Sequence, residues 1–309
     1  MQTIEAVPDN ETAESVSLMS WPVNPARSAV EVSFEFFPAA TEVGLTSLVG
    51  CATDLEPMSP SFVSVTYGAA GSIQGPTLQS VCELKARTDL DVAGHLTCAS
   101  ASREAVQSVV DEYVQNGVRR IVALRGDDTQ SSNRGAPSDG YQDAAELVAG
   151  IRGRRDGAQF DISVAGYPEV HPKAVSALAD MESLKRKVDA GANRVLTQFF
   201  FDTDAFFRFR DSAVSAGIAL PIVPGIMPVG NFAKIANFSR RCGTLIPDWM
   251  SSLFEGLEDG SEVAQLVAAT LTAEQCRRLS EDGVERFHFY TMNKPELTVA
   301  VCRMLGLGG

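Results

Sequence analysis

Short apolar runs that alternate with a period of two are separated along the chain by longer stretches whose apolar residues recur every three or four positions. The runs that read as strands are Val30–Phe37, Phe62–Tyr67, Val92–Thr97, Arg120–Arg125, Ile162–Gly166, Arg194–Phe200, Pro221–Ile226 and Phe287–Tyr290. Between them lie amphipathic helical stretches, among them Pro76–Arg87, Ser102–Asn116, Pro172–Ala190, Thr203–Ala216 and Thr272–Asp282. Ser102 is placed to cap one helix and Gly117 to end it, and the Lys187 to Gly191 stretch closes another in the same way. Eight β-rich runs separated by helical sequence predict an α/β protein, a single-domain (β/α)₈ TIM barrel with extra helices. A doubly wound open sheet is the alternative. The long interval between the seventh and eighth runs holds Pro247-Asp248-Trp249-Met250 and an acidic helix from Ser261. These read as helices added to the barrel. Residues 1–28 read as a flexible tail and 29–309 as the barrel.

The first strand carries an unusual placement. In Ser33-Phe34-Glu35-Phe36-Phe37-Pro38 a carboxylate stands among aromatic side chains. Alternation puts Ser33, Glu35 and Phe37 on one face and Val32, Phe34 and Phe36 on the other. A carboxylate in apolar company is expected to have a raised pKa, which suits a general acid; the structural alternative is a buried Glu paired with Arg or Lys. Other polar residues also gather where the predicted strands end: Thr66-Tyr67, His95 to Thr97, Arg125-Gly126-Asp127, Tyr167 to His171, Gln198, and Thr291 to Lys294. In barrel enzymes that end builds the active site, and packing alone gives no reason to collect such residues on one rim.

Composition narrows the partners. Of 309 residues 45% are hydrophobic, enough for a large core, and the formal net charge is −13. Bulk attraction to nucleic acid or anionic membranes is therefore not expected, and an anionic ligand needs a local cluster of cations and backbone N–H groups. The six cysteines form no C-x-x-C pair, and His95, His171 and His288 lie far apart, so neither a disulfide framework nor a hydrolytic metal site is expected. His288, between Phe287 and Phe289, reads as a core histidine, and Phe199-Phe200-Phe201 as core. The tail has no Lys or Arg before Arg27, which fits neither a signal nor a transit peptide, and a reducing cytoplasm is the expected location.

In order, the chain contains S-F-E-F-F-P, V-S-V-T-Y-G-A, H-L-T-C, I-V-A-L-R-G-D, Y-P-E-V-H-P, L-K-R-K-V-D-A-G-A-N, T-Q-F-F-F-D, P-I-V-P-G-I and F-H-F-Y-T-M-N. Together, over roughly Val30 to Leu305, these resemble the bacterial methylenetetrahydrofolate reductase family. That resemblance implies FAD held non-covalently in a barrel, and NADH or NADPH as the reductant in a ping-pong cycle. It implies reduction of 5,10-methylenetetrahydrofolate to 5-methyltetrahydrofolate for methionine synthesis, by a homo-oligomer. The chain has neither G-x-G-x-x-G nor G-x-x-x-x-G-K-[ST], so strand-end loops are expected to hold any dinucleotide. By the same resemblance Glu35 is the acid that protonates folate N10, and Asp127 a charge favouring the resulting 5-iminium cation. Gln198, Phe238, Thr66, Asp127, Lys234 and Lys294 match substrate-side positions. Tyr67, Ala69, His95, Arg125, Gly126, Asp127, Ala144, Tyr167, His171, Ala174, Asp180, Arg186 and Lys187 match the FAD-binding ones.

Some positions depart from the family pattern. A Ser/Gly-rich connection runs from Asp128 to Gly140, Asp143-Ala144 stands where Tyr-Ala is usual with Tyr141 two residues earlier, and Ser183 replaces Asn. Lys234 replaces a folate-facing Gln and Lys294 an Arg, losing the planar fork there but keeping the charge. The rival readings are a folate-dependent methyltransferase on the same barrel and a non-catalytic folate- or flavin-binding subunit of a redox complex.

Overall fold

A computed structural model describes residues 30–67, 74–126 and 139–308, without the side chain of Gln74. The predicted tail and most of the Asp128 to Gly140 connection lie outside the described residues. Eight strands alternate with helices: β1 (Glu31–Phe36), α1 (Glu42–Leu55), β2 (Phe62–Val65), α2 (Gln74–Arg87), β3 (Val92–Thr97), α3 (Arg103–Gln115), β4 (Arg120–Leu124) and α4 (Ala144–Arg152). There follow β5 (Asp161–Gly166), α5 (Ala177–Asp189), β6 (Arg194–Phe199), α6 (Thr203–Ser215), β7 (Ile222–Ile226), α7 (Phe232–Cys242), α8 (Asp248–Phe254), α9 (Glu262–Glu281), β8 (Arg286–Tyr290) and α10 (Pro295–Met304). All neighbouring strands pair in parallel, and β8 returns to β1 through Ser33↔His288 and Glu35↔Tyr290. That closure excludes the open doubly wound sheet and confirms the (β/α)₈ barrel.

Local chemistry sets the helix ends. Ser102 Oγ accepts the Ala105 N–H, and Asn116 and the left-handed Gly117 (φ 74°) end α3, as the sequence pattern predicts. Two expectations change. The stretch Pro172–Ala190 begins its helix only at Ala177, because Ser176 caps there and the preceding residues form a turn around His171. The acidic stretch from Ser261 and the predicted helix Thr272–Asp282 are one continuous helix, α9, capped by Ser261 and packed on α10. With α8 it is the addition foreseen between β7 and β8.

Alternation divides each strand between two environments. Val32 and Phe34 of β1 face the helices in a core shared with Leu45, Leu48 and Phe289. Full burial of each such side chain stabilises by roughly 1.5–3 kcal/mol. The barrel lumen is graded from end to end. At the strand N-termini Asp161 accepts hydrogen bonds from Arg120 (2.6 Å) and Arg194 (2.6 and 2.8 Å), and both guanidiniums lie over the Phe62 ring. Above this ionic plug Ala93, Val122, Leu196 and Val223 form an apolar layer.

The β6–β7 pairing shifts register between Leu196 and Phe199. Such irregularities re-aim side chains near functional sites, and here Gln198 reaches the rim. Gly225 makes the close approach possible: a Cβ there would lie 2.2 Å from the Thr197 carbonyl oxygen and 2.6 Å from the Tyr290 ring. Backbone cannot retreat as a flexible side chain would. Gly225→Ala is expected to cost about 1–3 kcal/mol of stability, read as a lower unfolding midpoint in urea.

Candidate active site

Glu35 is the penultimate residue of β1, and the segment after β8 clamps it from across the barrel seam. Thr291 donates to the Glu35 carbonyl through its hydroxyl (2.7 Å) and its N–H (3.2 Å). Asn293 Oδ1 accepts the Phe37 N–H, and its Nδ2 donates to the Phe37 carbonyl. The Glu35 side chain is thereby held inside the lumen, where it meets two histidines. Its Oε2 lies 3.3 Å from His95 Nε2 and 3.5 Å from His288 Nε2. On its other side His288 Nδ1 is 2.8 Å from Ser33 Oγ, and its ring stacks on Phe62. His95 is buried; its Nε2 is close enough to Glu35 to feel the charge but makes no aligned hydrogen bond.

These contacts correct the expected direction of the Glu35 shift. Burial does push the carboxyl up. The close approach of His95, with the hydrogen bond and charge of His288, outweighs it and holds the group at about 2, against an ordinary 4.5. The strand pattern showed aromatic neighbours along the chain and could not show the imidazoles arriving from β3 and β8. The partner is neither Arg nor Lys.

Around this cluster opens a cavity of about 240 Å³ that brings together Glu35, Thr66, Tyr67, His95, Tyr167, Gln198 and Phe238. Phe238, on α7, stacks on Phe199 with ring centroids 5.6 Å apart and planes 13° from parallel. A second cavity, of about 500 Å³, shares the Leu124, Ala165 and Tyr167 walls with the first. It gathers Arg125, Gly126, Ala144, His171, Ala174, Asp180 and Lys187. Lys187 Nζ donates to the Ala165 carbonyl, and burial holds this amine down at about 8, with Asp180 and Asp143 acting in the opposite sense. Lys234 and Lys294 line a third cavity of about 610 Å³ that meets the first at Met292.

A family model described as methylenetetrahydrofolate reductase matches residues 23–306. The chain belongs to the methylenetetrahydrofolate reductase family. It is 47% identical over 278 residues to the 5,10-methylenetetrahydrofolate reductase of Salmonella typhimurium, covering 90% of this chain and 91% of that one. The Escherichia coli enzyme of the same name is 45% identical, with the same coverage. Among solved structures, an uncharacterized Clostridium thermocellum protein that binds two copies of 5-methyl-5,6,7,8-tetrahydrofolic acid has a similar fold. Its TM-score is 0.58 at 14% identity, covering 90% of this chain and 95% of that one.

The positions that carry the resemblance to the reductase family divide as follows. Arg186 lies outside the cavities and pairs with Asp143 at 2.5 Å. Asp143 lines the second cavity, whereas Tyr141 does not substitute for a missing tyrosine there. Its ring is buried beneath Arg103 and against Gly150, and its hydroxyl accepts from Gln107. Ala69 and Asp127 lie outside the described residues. Four residues near the site were not singled out from sequence. Ser33, His288 and Tyr290 line up only once β8 closes on β1, and Lys173 lines the second cavity. His288 was expected to be core; it is fully buried, yet its Nε2 faces Glu35. Its single clue was its place on the last strand, next to the first in a closed barrel.

Because the folded pKa of Glu35 lies below the unfolded one, its contribution to stability is complete above about pH 4.5 and is lost as pH falls towards 2. Unfolding midpoints of the parent protein and Glu35→Gln, compared between pH 2 and 6, are expected to show the parent gaining on the variant as pH rises through that window.

Proposed function

We propose that the protein catalyses the reduction of 5,10-methylenetetrahydrofolate to 5-methyltetrahydrofolate, with FAD as bound cofactor and NADH or NADPH as reductant in a ping-pong cycle that feeds methionine synthesis. The observation that carries this reading is the Glu35–His95–His288 cluster at the floor of one cavity, joined to a cation-lined cavity beside it, in a chain of this family. Taken together, the adjoining spaces of about 240 and 500 Å³ fall in the usual size range of a ligand cleft. The donor set fits a flavin dinucleotide: Arg125, Lys173 and Lys187 supply cations, and Gly126 brings bare backbone to the wall. FAD, when bound and reduced by NADH or NADPH, would supply the hydride.

The protein's own residues then have the following work. The lowered Glu35 pKa depends on both His95 and His288, so the acid is the carboxylate–imidazole unit rather than an isolated carboxyl group. A proton delivered to the carboxylate through these imidazoles gives the neutral acid, which burial favours and the His288 contact opposes. Transfer of this proton to folate N10 breaks the bond between N10 and the methylene carbon. The electron pair of that bond goes to N10, leaving the 5-iminium cation that hydride reduces. Ser33 and His288 hold the carboxylate in place. Phe238 and Gln198 flank the substrate, and Lys234 and Lys294 face its carboxylate tail.

Purified protein is expected to release FAD on denaturation. Bound flavin should bleach with NADH or NADPH under anaerobic conditions and regain its colour on addition of methylenetetrahydrofolate. A colourless protein would favour the methyltransferase, and a flavin that neither nucleotide reduces would favour the redox-complex subunit. Glu35→Gln should leave bleaching by the reduced nucleotide near the parent rate and slow reoxidation by methylenetetrahydrofolate by roughly 10²–10⁴-fold, the usual worth of a positioned acid. Equal loss in both half-reactions would refute the assigned role.

Lys187 adds a pH dependence. In the flavin-free protein it loses its proton above about pH 8, so FAD affinity should fall as pH rises beyond that point. Lys187→Met should bind FAD more weakly and with a flatter profile, measured by fluorescence titration.

A further inference from the structure

Val170 is the one β-branched residue with positive φ (69°) among the described residues. It sits in the loop between β5 and α5, and its backbone turn folds His171 back against Tyr167, with ring centroids 4.5 Å apart. Both residues line the cavity assigned to the cofactor. A branched side chain resists the left-handed conformation, which persists only where the surroundings impose it. On one side the imposing contact is the His171 N–H, which donates to Asp180 Oδ2 at 2.9 Å. On the other side it is Glu169.

The Glu169 Oε2 accepts the Leu245 N–H at 2.9 Å, and its Oε1 is buried without a partner among the described residues. Leu245 is a firm anchor. Thr244 donates its hydroxyl to the Phe199 carbonyl (3.0 Å) and its N–H to the Ser239 carbonyl (3.0 Å). Gly243 ends α7 at φ 76°, and a Cβ there would lie 2.4 Å from Pro172 Cγ, so the end of α7 rests directly on the loop. The same helix carries Phe238 into the catalytic cavity.

We propose that Glu169 is a positioning residue that holds the left-handed Val170 turn and ties the cofactor-side loop to the substrate-side helix α7. The proposal rests on the reductase reading for what occupies the two sides. The tether itself is a property of the chain. Without it the strain at Val170 is opposed on the Asp180 side alone, and Tyr167 and His171 are held less firmly in the cavity wall.

Two readouts test this: tryptic cleavage after Lys173 in the flavin-free protein, and the FAD dissociation constant by fluorescence titration. Glu169→Ala should speed the cleavage and weaken FAD by about tenfold, the scale of one lost hydrogen bond. Glu169→Gln keeps an acceptor for Leu245 and should match the parent on both. Val170→Asn, added to Glu169→Ala, should recover most of the loss, because asparagine enters the left-handed region with less strain. Glu169→Asp retracts the carboxylate by one methylene and should shift both readouts in the same direction, which serves if the alanine variant does not fold. The proposal is overturned if the alanine and aspartate variants behave as the parent, or if Val170→Asn gives no recovery. A parent protein that binds no FAD would overturn the reductase reading instead, and the cleavage assay would still decide the role of Glu169.

Discussion

A carboxylate enclosed near the top of a barrel lumen has to find charge or hydrogen-bond donors, since burying it alone would neutralise it. In this protein Glu35 finds them in two imidazoles delivered by strands remote in sequence. Much of the surrounding architecture serves that contact. The Thr291–Asn293 clamp fixes the β1 backbone, Ser33 meets one His288 nitrogen so that the other can face Glu35, and Phe62 supports the ring from below. None of these contacts survives unless β8 closes on β1.

The lumen beneath explains why chemistry is confined to one end. The Arg120–Asp161–Arg194 plug satisfies charge where the strands begin, and an apolar layer of Ala93, Val122, Leu196 and Val223 lies above it. A buried ion pair of this kind adds little net stability compared with a well-packed apolar substitute. Its value is to close the N-terminal end while leaving the rim open. The rim then combines an apolar wall of Val122, Leu124, Leu196 and Met227 with a small number of polar groups, the usual make-up of a ligand cleft.

For the proposed anionic cofactor, an acidic protein must concentrate cations locally. Lys187 and Arg125 do so, while Arg186 is held by Asp143, where the family pattern leads one to expect a tyrosine. The pair places a carboxylate in the wall of the cation-lined cavity.

The period-two and period-3.6 patterns, the serine and glycine helix ends, and the clustering of polar residues at strand termini sufficed to specify a (β/α)₈ barrel with its reactive groups on one rim. These are local signals, read within a turn of helix or a length of strand. They also put Glu35 and Gln198 near strand ends, where the structure has both lining one cavity, whereas the roles of these residues and of Lys187 came from the family resemblance. The sign of the Glu35 pKa shift was not a local matter. Alternation states which residues share a face but not what that face will meet, and the answer came from His95 and His288 across the lumen. The same holds for Tyr141, whose nearness in sequence suggested a cavity role until packing against Gly150 took it elsewhere. Sequence determined the elements and the rim. Tertiary closure decided the electrostatics, because charge acts through space and the strands that face each other across a barrel are far apart along the chain.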